Sequence, residues 1–369
     1  MTRTMPDRKV ILDAVTLACR APSLHNSQPW RWIADGALHL FADRTRLVPA
    51  TDSSGREMIL SCGAVLDHLR VAIAAAGWDT TIARFPDPTQ PDHVAAVEFD
   101  PLPIVGDTQR ARADAIHRRR TDRLPFAAPR GWATLESTLR GLVDGEVVML
   151  DVVPDDARPQ LADASRLTES LRRQDPTYQS ELRWWTSPFE LDQGVPPTSR
   201  VSASEASRVD VARAFPTTGY GERRAQTGPD RSKIIVLSTG ADTSLEVLPC
   251  GEALSTVWLE CTICRHGHVH AHPSDGDHAE PKRHPPTHPT ARSAAALDTG
   301  GHHTSRRRTT TSPHTPTTRD RGSAVPHIAS PLPAAPHQLR VRPATRCEGG
   351  DAARYCAPAI PVLANLGRC

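Results

Sequence analysis

Arg20–Trp32 reads RAPSLHNSQPWRW. Between Pro22 and Pro29 it crowds Ser, Asn and Gln, which offer short hydrogen-bond donors and acceptors together. The two prolines stiffen the segment, so those groups are held in place before any ligand arrives. Trp30 and Trp32 add flat apolar surface. Taken alone, the string reads equally well as a capped turn entering a hairpin. Upstream, Val10, Ala14, Leu17 and Ala18 recur at helical spacing, and Pro22 closes that helix. Downstream, WRWIADGALHLFA (30–42) predicts two strands joined at Asp35-Gly36, a favoured turn pair. Ile59, Cys62, Leu66, Leu69, Ile73 and Ala76 predict a buried helix that Gly77 ends. TTIARF and VAAVEF then read as strands.

A second cycle starts near Thr108. QRARADAIHRRRTDRLPF (109–126) predicts a helix with a basic end, broken by Pro125. Helices are further predicted over Trp132–Val143, Asp156–Arg173 and Ser204–Ala214. KIIVLST (233–239) predicts a buried strand, and CGEALSTVWLECT (250–262) a helix. Ser61–Trp78 and Pro249–Gly267 echo one another, each with Cys-Gly at the start of an apolar helix; a duplication explains this, and two unrelated buried helices remain the alternative. Within 109–126, alternating Arg119, Thr121 and Arg123 would share one side of an extended segment. Two guanidinium forks and a hydroxyl there make a phosphate clamp. The alternative is a solvated basic helix end that complements the dipole.

P-S-x-x-N-S-Q-P-W, as Pro22, Ser23, Asn26, Ser27, Gln28, Pro29 and Trp30, resembles the flavin-binding signature of the nitroreductase family. Arg119, Thr121 and Arg123 resemble that family's phosphate motif. The layout, from about Val10 to Thr262, is similar to the mycobacterial Acg-type nitroreductases, which look like a fused dimer in one chain. RTDRLPF, SELRWWTSPF, GVPP, DRSK and CGEALS carry the resemblance onward. It implies an α+β fold, a mixed sheet flanked by helices, in two halves (1–107 and a truncated 108–264) forming an intramolecular pseudo-dimer. It implies one FMN per chain. Ser23, Asn26 and Gln28 would contact the flavin ring and ribityl chain, Ser27 and Trp30 would belong to the same site, and Arg119, Thr121 and Arg123 would hold the phosphate. Electrons would pass from NADH or NADPH to a nitro-aromatic or quinone-like acceptor. The cofactor carries that chemistry, so no catalytic triad is required, and none is evident. The alternative is an FMN-binding store or redox sensor without turnover.

The chain has 369 residues and a formal charge of +2, which argues against a strongly basic nucleic-acid binder. No run looks apolar enough for a membrane span, and the first residues do not read as a secretory signal. Eight cysteines over this length do not form a disulfide framework, so a reducing cytoplasm is the expected compartment. The average hides a change at Arg265: residues 265–369 hold 12 of the 17 His, 14 of the 34 Pro and one aromatic, Tyr355. Such a segment lacks the apolar area that offsets chain entropy, and disorder is the expectation for it.

The resemblance stops at Glu260-Cys261-Thr262. Read with each codon displaced (positions two and three of one residue, position one of the next), Arg265–Gly276 can spell GMATCTLTHLME. Ala294–His302 can spell PQPWIRVGI, and His314–Ser323 TPRRPATEVL. In order, these resemble the family's flavin loop, buried strand and arginine arm. Residues from about Ile263 onward are therefore expected to be an out-of-frame translation. The chain as written should fold poorly or bind FMN weakly, since a lost strand leaves backbone groups unpaired.

Cys261 and Cys264, followed by His266, His268, His270 and His272, also have metal-ligand spacing, but Cys261 falls on a predicted buried helix, so no metal site is assigned. Arg306–Arg308 could bind nucleic acid electrostatically but lack aromatics for stacking. Cys62 and Cys250 read as core residues, His25 as a spacer or a flavin contact, His68 as a helix-surface residue, and Trp184 and Trp185 as packing residues or a pocket cover.

Overall fold

The structure is a computed structural model that describes residues 5–143, 145–187, 194–219 and 221–265, and the backbone of 338–339. The remaining tail, with the displaced-frame strings, His266–His272 and Arg306–Arg308, lies outside the described residues.

Helix α1 (Arg8–Ala18) starts where Asp7 accepts a hydrogen bond from Val10 N at 2.8 Å, and it buries Ile11, Ala14, Val15 and Ala18. Strands β1 (Trp30–Ala34) and β2 (Leu38–Ala42) form the expected hairpin, with Trp30 opposite Ala42. Its turn needs a positive φ, which Gly36 supplies at 68°. Helix α2 (Arg56–Ala75) follows and ends at Gly77, which takes φ 87°. Strands β3 (Trp78–Arg84) and β4 (His93–Pro101) complete an antiparallel sheet in the order β3-β4-β2-β1. Residues 338–339 add a short antiparallel strand beside Trp32 and Ile33.

The second part comprises α3 (Asp107–Arg118), α4 (Trp132–Leu142), β5 (Met149–Val152), α5 (Arg158–Arg173), α6 (Pro176–Trp185), α7 (Ala203–Ala206), β6 (Ile235–Ser238) and α8 (Ser244–Arg265). β5 and β6 pair antiparallel as a second sheet. The fold is thus α+β, with sheets flanked by helices.

Several expectations need correction. The helix predicted over 204–214 is only the four residues of α7. α3 stops at Arg118, because Arg119 already has extended backbone at φ −61° and ψ 133°. α8 begins six residues before Cys250 and runs through Pro249, which forgoes one helical hydrogen bond. α2 is, by length and composition, apolar enough to cross a membrane, but sixteen of its twenty residues are buried in the core. His68 is also buried, not on a helix surface.

α2 and α8 make the central contact of the molecule. A Cβ on Gly63 would lie 2.1 Å from Leu248 O, and a Cβ on Gly251 would lie 2.1 Å from Leu60 O. Each helix therefore offers its glycine to the carbonyl three residues before the other's glycine. Beyond the crossing, His68 Nδ1 lies 2.8 Å from Ser255 Oγ, which donates to Asp67 Oδ2 at 2.6 Å. Arg84 clamps Glu252 with two bonds of 2.7 and 2.8 Å. The contacts of His68 and Asp67 with Ser255 join α2 to α8, and Arg84 ties β3 to α8.

Candidate functional site

The 20–32 string becomes a tight loop between α1 and β1. His25, Asn26 and Gln28 all have positive φ, at 51°, 58° and 50°. Asparagine and histidine tolerate that conformation better than most residues, but glutamine is strained in it, and such strain concentrates at functional sites. The loop is fastened from several directions. Ser23 Oγ accepts from Gln28 N at 3.0 Å, and Arg46 donates to the carbonyls of Ser27 and Gln28 at 3.4 and 3.3 Å. Below it, Ser61 and Cys62 of α2 hold Leu24 N at 3.4 Å and Pro29 O at 3.5 Å. Above it, Asn26 Nδ2 donates to Gly194 O at 3.1 Å, and Gly194 N returns a 3.4 Å bond to Asn26 O. Gly194 has φ 86°, and a Cβ there would lie 2.6 Å from Trp185 O, so glycine is required at this bridge. Ser27 is buried, and Trp30 and Trp32 pack into the core.

Arg119 lies beside this loop: its guanidinium donates to Arg20 O at 2.8 Å and sits 5.6 Å from the centre of the Trp258 ring. Its Nε is buried with no hydrogen-bond partner, and it makes no ion pair among the described residues. Burial, with Arg20 as a like charge, pulls its pKa down to about 10. Arg123 points elsewhere. It donates to Ser199 O at 3.2 Å and stacks 4.1 Å from the Phe215 ring centre. Thr121 is exposed. Residues 119, 121 and 123 therefore do not share one side, although Arg119 and Arg123 each approach the loop.

Further groups gather here that sequence reading did not single out. Arg213 donates to His25 Nε2 at 3.1 Å, and the Phe215 ring meets His25 edge-on at 5.8 Å. Burial first, then Arg213, Arg123 and Arg172, hold His25 down to about 3. Glu57, at the start of α2, is buried with neither carboxyl oxygen hydrogen-bonded. Burial pushes its pKa up to about 8, against the pull of Arg213. Only the apolar spacing of α2 was visible in the sequence, and nothing there marked Glu57 as facing inward at the loop.

Glu57 predicts a pH effect. Its carboxyl ionises near 4.5 when unfolded and at about 8 when folded. Its contribution to stability is therefore intact below pH 4.5 and is lost as pH rises through 8. Glu57→Gln should match the parent near pH 4.5 and gain on it by roughly 1 kcal/mol per pH unit toward pH 8, read by urea unfolding across that range. His25 acts oppositely: its contribution is intact above 6.5 and is lost as pH falls toward 3.

Cys261 and Cys264 lie on α8, where burial raises both thiols, Cys264 to about 11. His266, His268, His270 and His272 lie outside the described residues. Cys62 and Cys250 are buried, as expected; Trp184 is exposed.

No family model matches the chain. An uncharacterized Mycobacterium tuberculosis protein is 57% identical over 259 residues, spanning 69% of this chain and 75% of the relative. The M. tuberculosis protein named "Putative NAD(P)H nitroreductase acg" is 54% identical over 264 residues, spanning 71% and 80%. The chain belongs to the Acg-type nitroreductase family. A third M. tuberculosis protein, also named as an NAD(P)H nitroreductase, is 35% identical over 267 residues, spanning 71% of this chain and 76% of the relative.

Proposed function

We propose that this chain is an FMN-dependent oxidoreductase that passes electrons from NADH or NADPH to a nitro-aromatic or quinone-like acceptor. The observation that carries this reading is Arg119. A desolvated guanidinium without a counter-charge is costly unless an anion completes it, and this one lies against the loop that resembles a flavin signature. Arg119 would supply charge to a flavin phosphate, while Arg123, engaged with Ser199 O and Phe215, and exposed Thr121 would have to turn to join it. Ser23, Asn26, Ser27 and Gln28 would present polar groups to the ring and ribityl chain, with Trp30 packed behind them. When bound, the flavin supplies hydride transfer. The protein's part is to hold the loop in its strained form and to place donors where negative charge gathers on the ring. Asn26 gives one amide hydrogen to Gly194 O, and its second N–H would meet a ligand.

The reciprocal approach of Gly63 and Gly251 supports a pseudo-dimer, because an isologous contact matches residue i with j and j with i. The NAD(P)H nitroreductase names of the relatives support the nicotinamide substrate. We place the protein in the cytoplasm, acting as a monomer without nucleic-acid or membrane partners. The frame displacement after about residue 262 is supported by a match that leaves both this chain and its relatives with an unmatched remainder; gene sequence from an independent isolate tests it, and codons unable to spell the three strings would refute it.

The test of function is spectroscopic. Purified protein supplied with FMN should show bound-flavin absorbance, bleach with NADPH under anaerobic conditions and recover when a nitro-aromatic is added. A spectrum that does not bleach would leave a flavin store, and no bound flavin would remove the reading.

A further inference from the structure

Strand β2 buries Leu38, Leu40 and Ala42 on one face and turns His39 and Phe41 to the other. In an unbroken register His93 of β4 would stand opposite Ala42 and point inward. A bulge prevents this: Leu40 pairs with Ala95, but Phe41 pairs with His93. The extra residue brings His93 onto the face of His39 and Phe41, and re-aiming a side chain is a recurrent use of such bulges. His39 Nδ1 then lies 3.0 Å from His93 Nε2, with the ring planes at 53°. Phe41 stacks on His93 with ring centres 4.5 Å apart and planes within 14°. That stack holds the His93 ring in place, and Arg31 lies 5.1 Å from the Phe41 ring centre.

In this pair one ring N–H donates to the nitrogen of the other ring. Burial first, then His39, hold His93 below the usual imidazole range, so its ring is neutral at neutral pH. If the donating ring carries its proton on its far nitrogen instead, both facing nitrogens present lone pairs and no proton is lost. Neutral imidazoles so placed are ligands for divalent transition metals. With metal–nitrogen bonds of about 2.0–2.1 Å, nitrogens 3.0 Å apart subtend roughly 90–97° at the metal. That is the angle of square-planar or octahedral coordination, which suits Cu²⁺ or Ni²⁺ better than tetrahedral Zn²⁺. Among the described residues no third His, Cys, Asp or Glu joins the pair, so water would complete the shell.

We propose that His39 and His93 form a two-imidazole site for Cu²⁺ or Ni²⁺ that ties β2 to β4 across the bulge. The ion would replace the shared hydrogen bond with two coordinate bonds and clamp the strands where their ladder is interrupted. The site needs neither flavin nor nicotinamide nucleotide, so it stands independently of the proposed function.

The experiment is hydrogen–deuterium exchange of the full chain, read by mass spectrometry with nickel, copper and zinc chlorides in turn. Residues 265–369 hold 12 of the 17 His and can bind metal themselves, so the readout is local protection and not total uptake. With free Ni²⁺ at ten times its dissociation constant, exchange in peptides spanning 38–42 and 93–97 should slow about 10-fold. Cu²⁺ should do the same at lower concentration, and Zn²⁺ should need a higher one. His39→Gln should abolish the protection, and so should His93→Gln. Peptides of α2 that exchange alike in parent and variants without metal show that the fold is kept; if one variant loses it, the other and the parent's own response still decide. Exchange that no ion alters in the parent, or protection that survives in a folded glutamine variant, overturns the site. Zn²⁺ protecting at lower concentration than Ni²⁺ overturns the proposed coordination.

Discussion

Gly251→Val should lower the melting temperature of this protein by about 10 °C or more. The first added carbon would lie 2.1 Å from Leu60 O and 3.0 Å from Gly63 Cα. Both obstacles are backbone, so no side chain can rotate away, and the helices must separate. Overpacking a core costs about 1–3 kcal/mol when side chains can yield; here the whole α2–α8 seam moves, including Leu66, Leu254 and Val257, all buried. Gly251→Ala should show a smaller loss of the same kind. Adding Gly63→Ala to it should cost less than the sum, because helices already separated accommodate the second methyl. Gly141 provides the contrast, with nothing within 4 Å of its would-be Cβ. Gly141→Ala should be neutral or stabilise by up to about 1 kcal/mol, through helix propensity alone. Calorimetry on the five variants, Gly63→Ala alone included, checks the set, and an unchanged Gly251→Val would show that the crossing does not hold the fold.

Arg119→Met should separate stability from binding. The substitution removes a charge that has no counter-ion and a buried Nε with no partner, a burden of about 1–3 kcal/mol. It also forfeits the bond to Arg20 O and the stacking on Trp258, together about 1–2 kcal/mol. Without ligand, the variant should therefore be no less stable than the parent and up to about 1 kcal/mol more so. Its affinity for FMN should fall roughly 100-fold, because a charge-assisted phosphate contact is gone. Flavin fluorescence titration and thermal melts read the two sides independently. Undiminished FMN affinity would remove Arg119 from the cofactor site.

Most of the first part of the fold was legible in the sequence. The hairpin followed from Asp35-Gly36 between apolar strands, and α2 from its three-and-four spacing, because local turn chemistry and periodicity act within a few residues. Features set by long-range packing were hidden. His68 looks like a surface residue until α8 brings Ser255 to it, and the reach of α8 through Pro249 depends on the α2 surface beneath. The candidate site divided in the same way. The loop was visible as a dense string of Ser, Asn and Gln between prolines. Arg213 was not, because it arrives from a distant segment that carries no motif. The chain turned extended at Arg119, but Arg119 and Arg123 meet different neighbours and Thr121 stays in solvent.

The helices that meet at Gly63 and Gly251 are carried by one polypeptide. Dilution cannot part them, so melting should be independent of protein concentration. In a two-chain assembly every mutation at such a contact would enter twice, once on each side of the axis. Here it enters once, and each end of the crossing is free to diverge without the other.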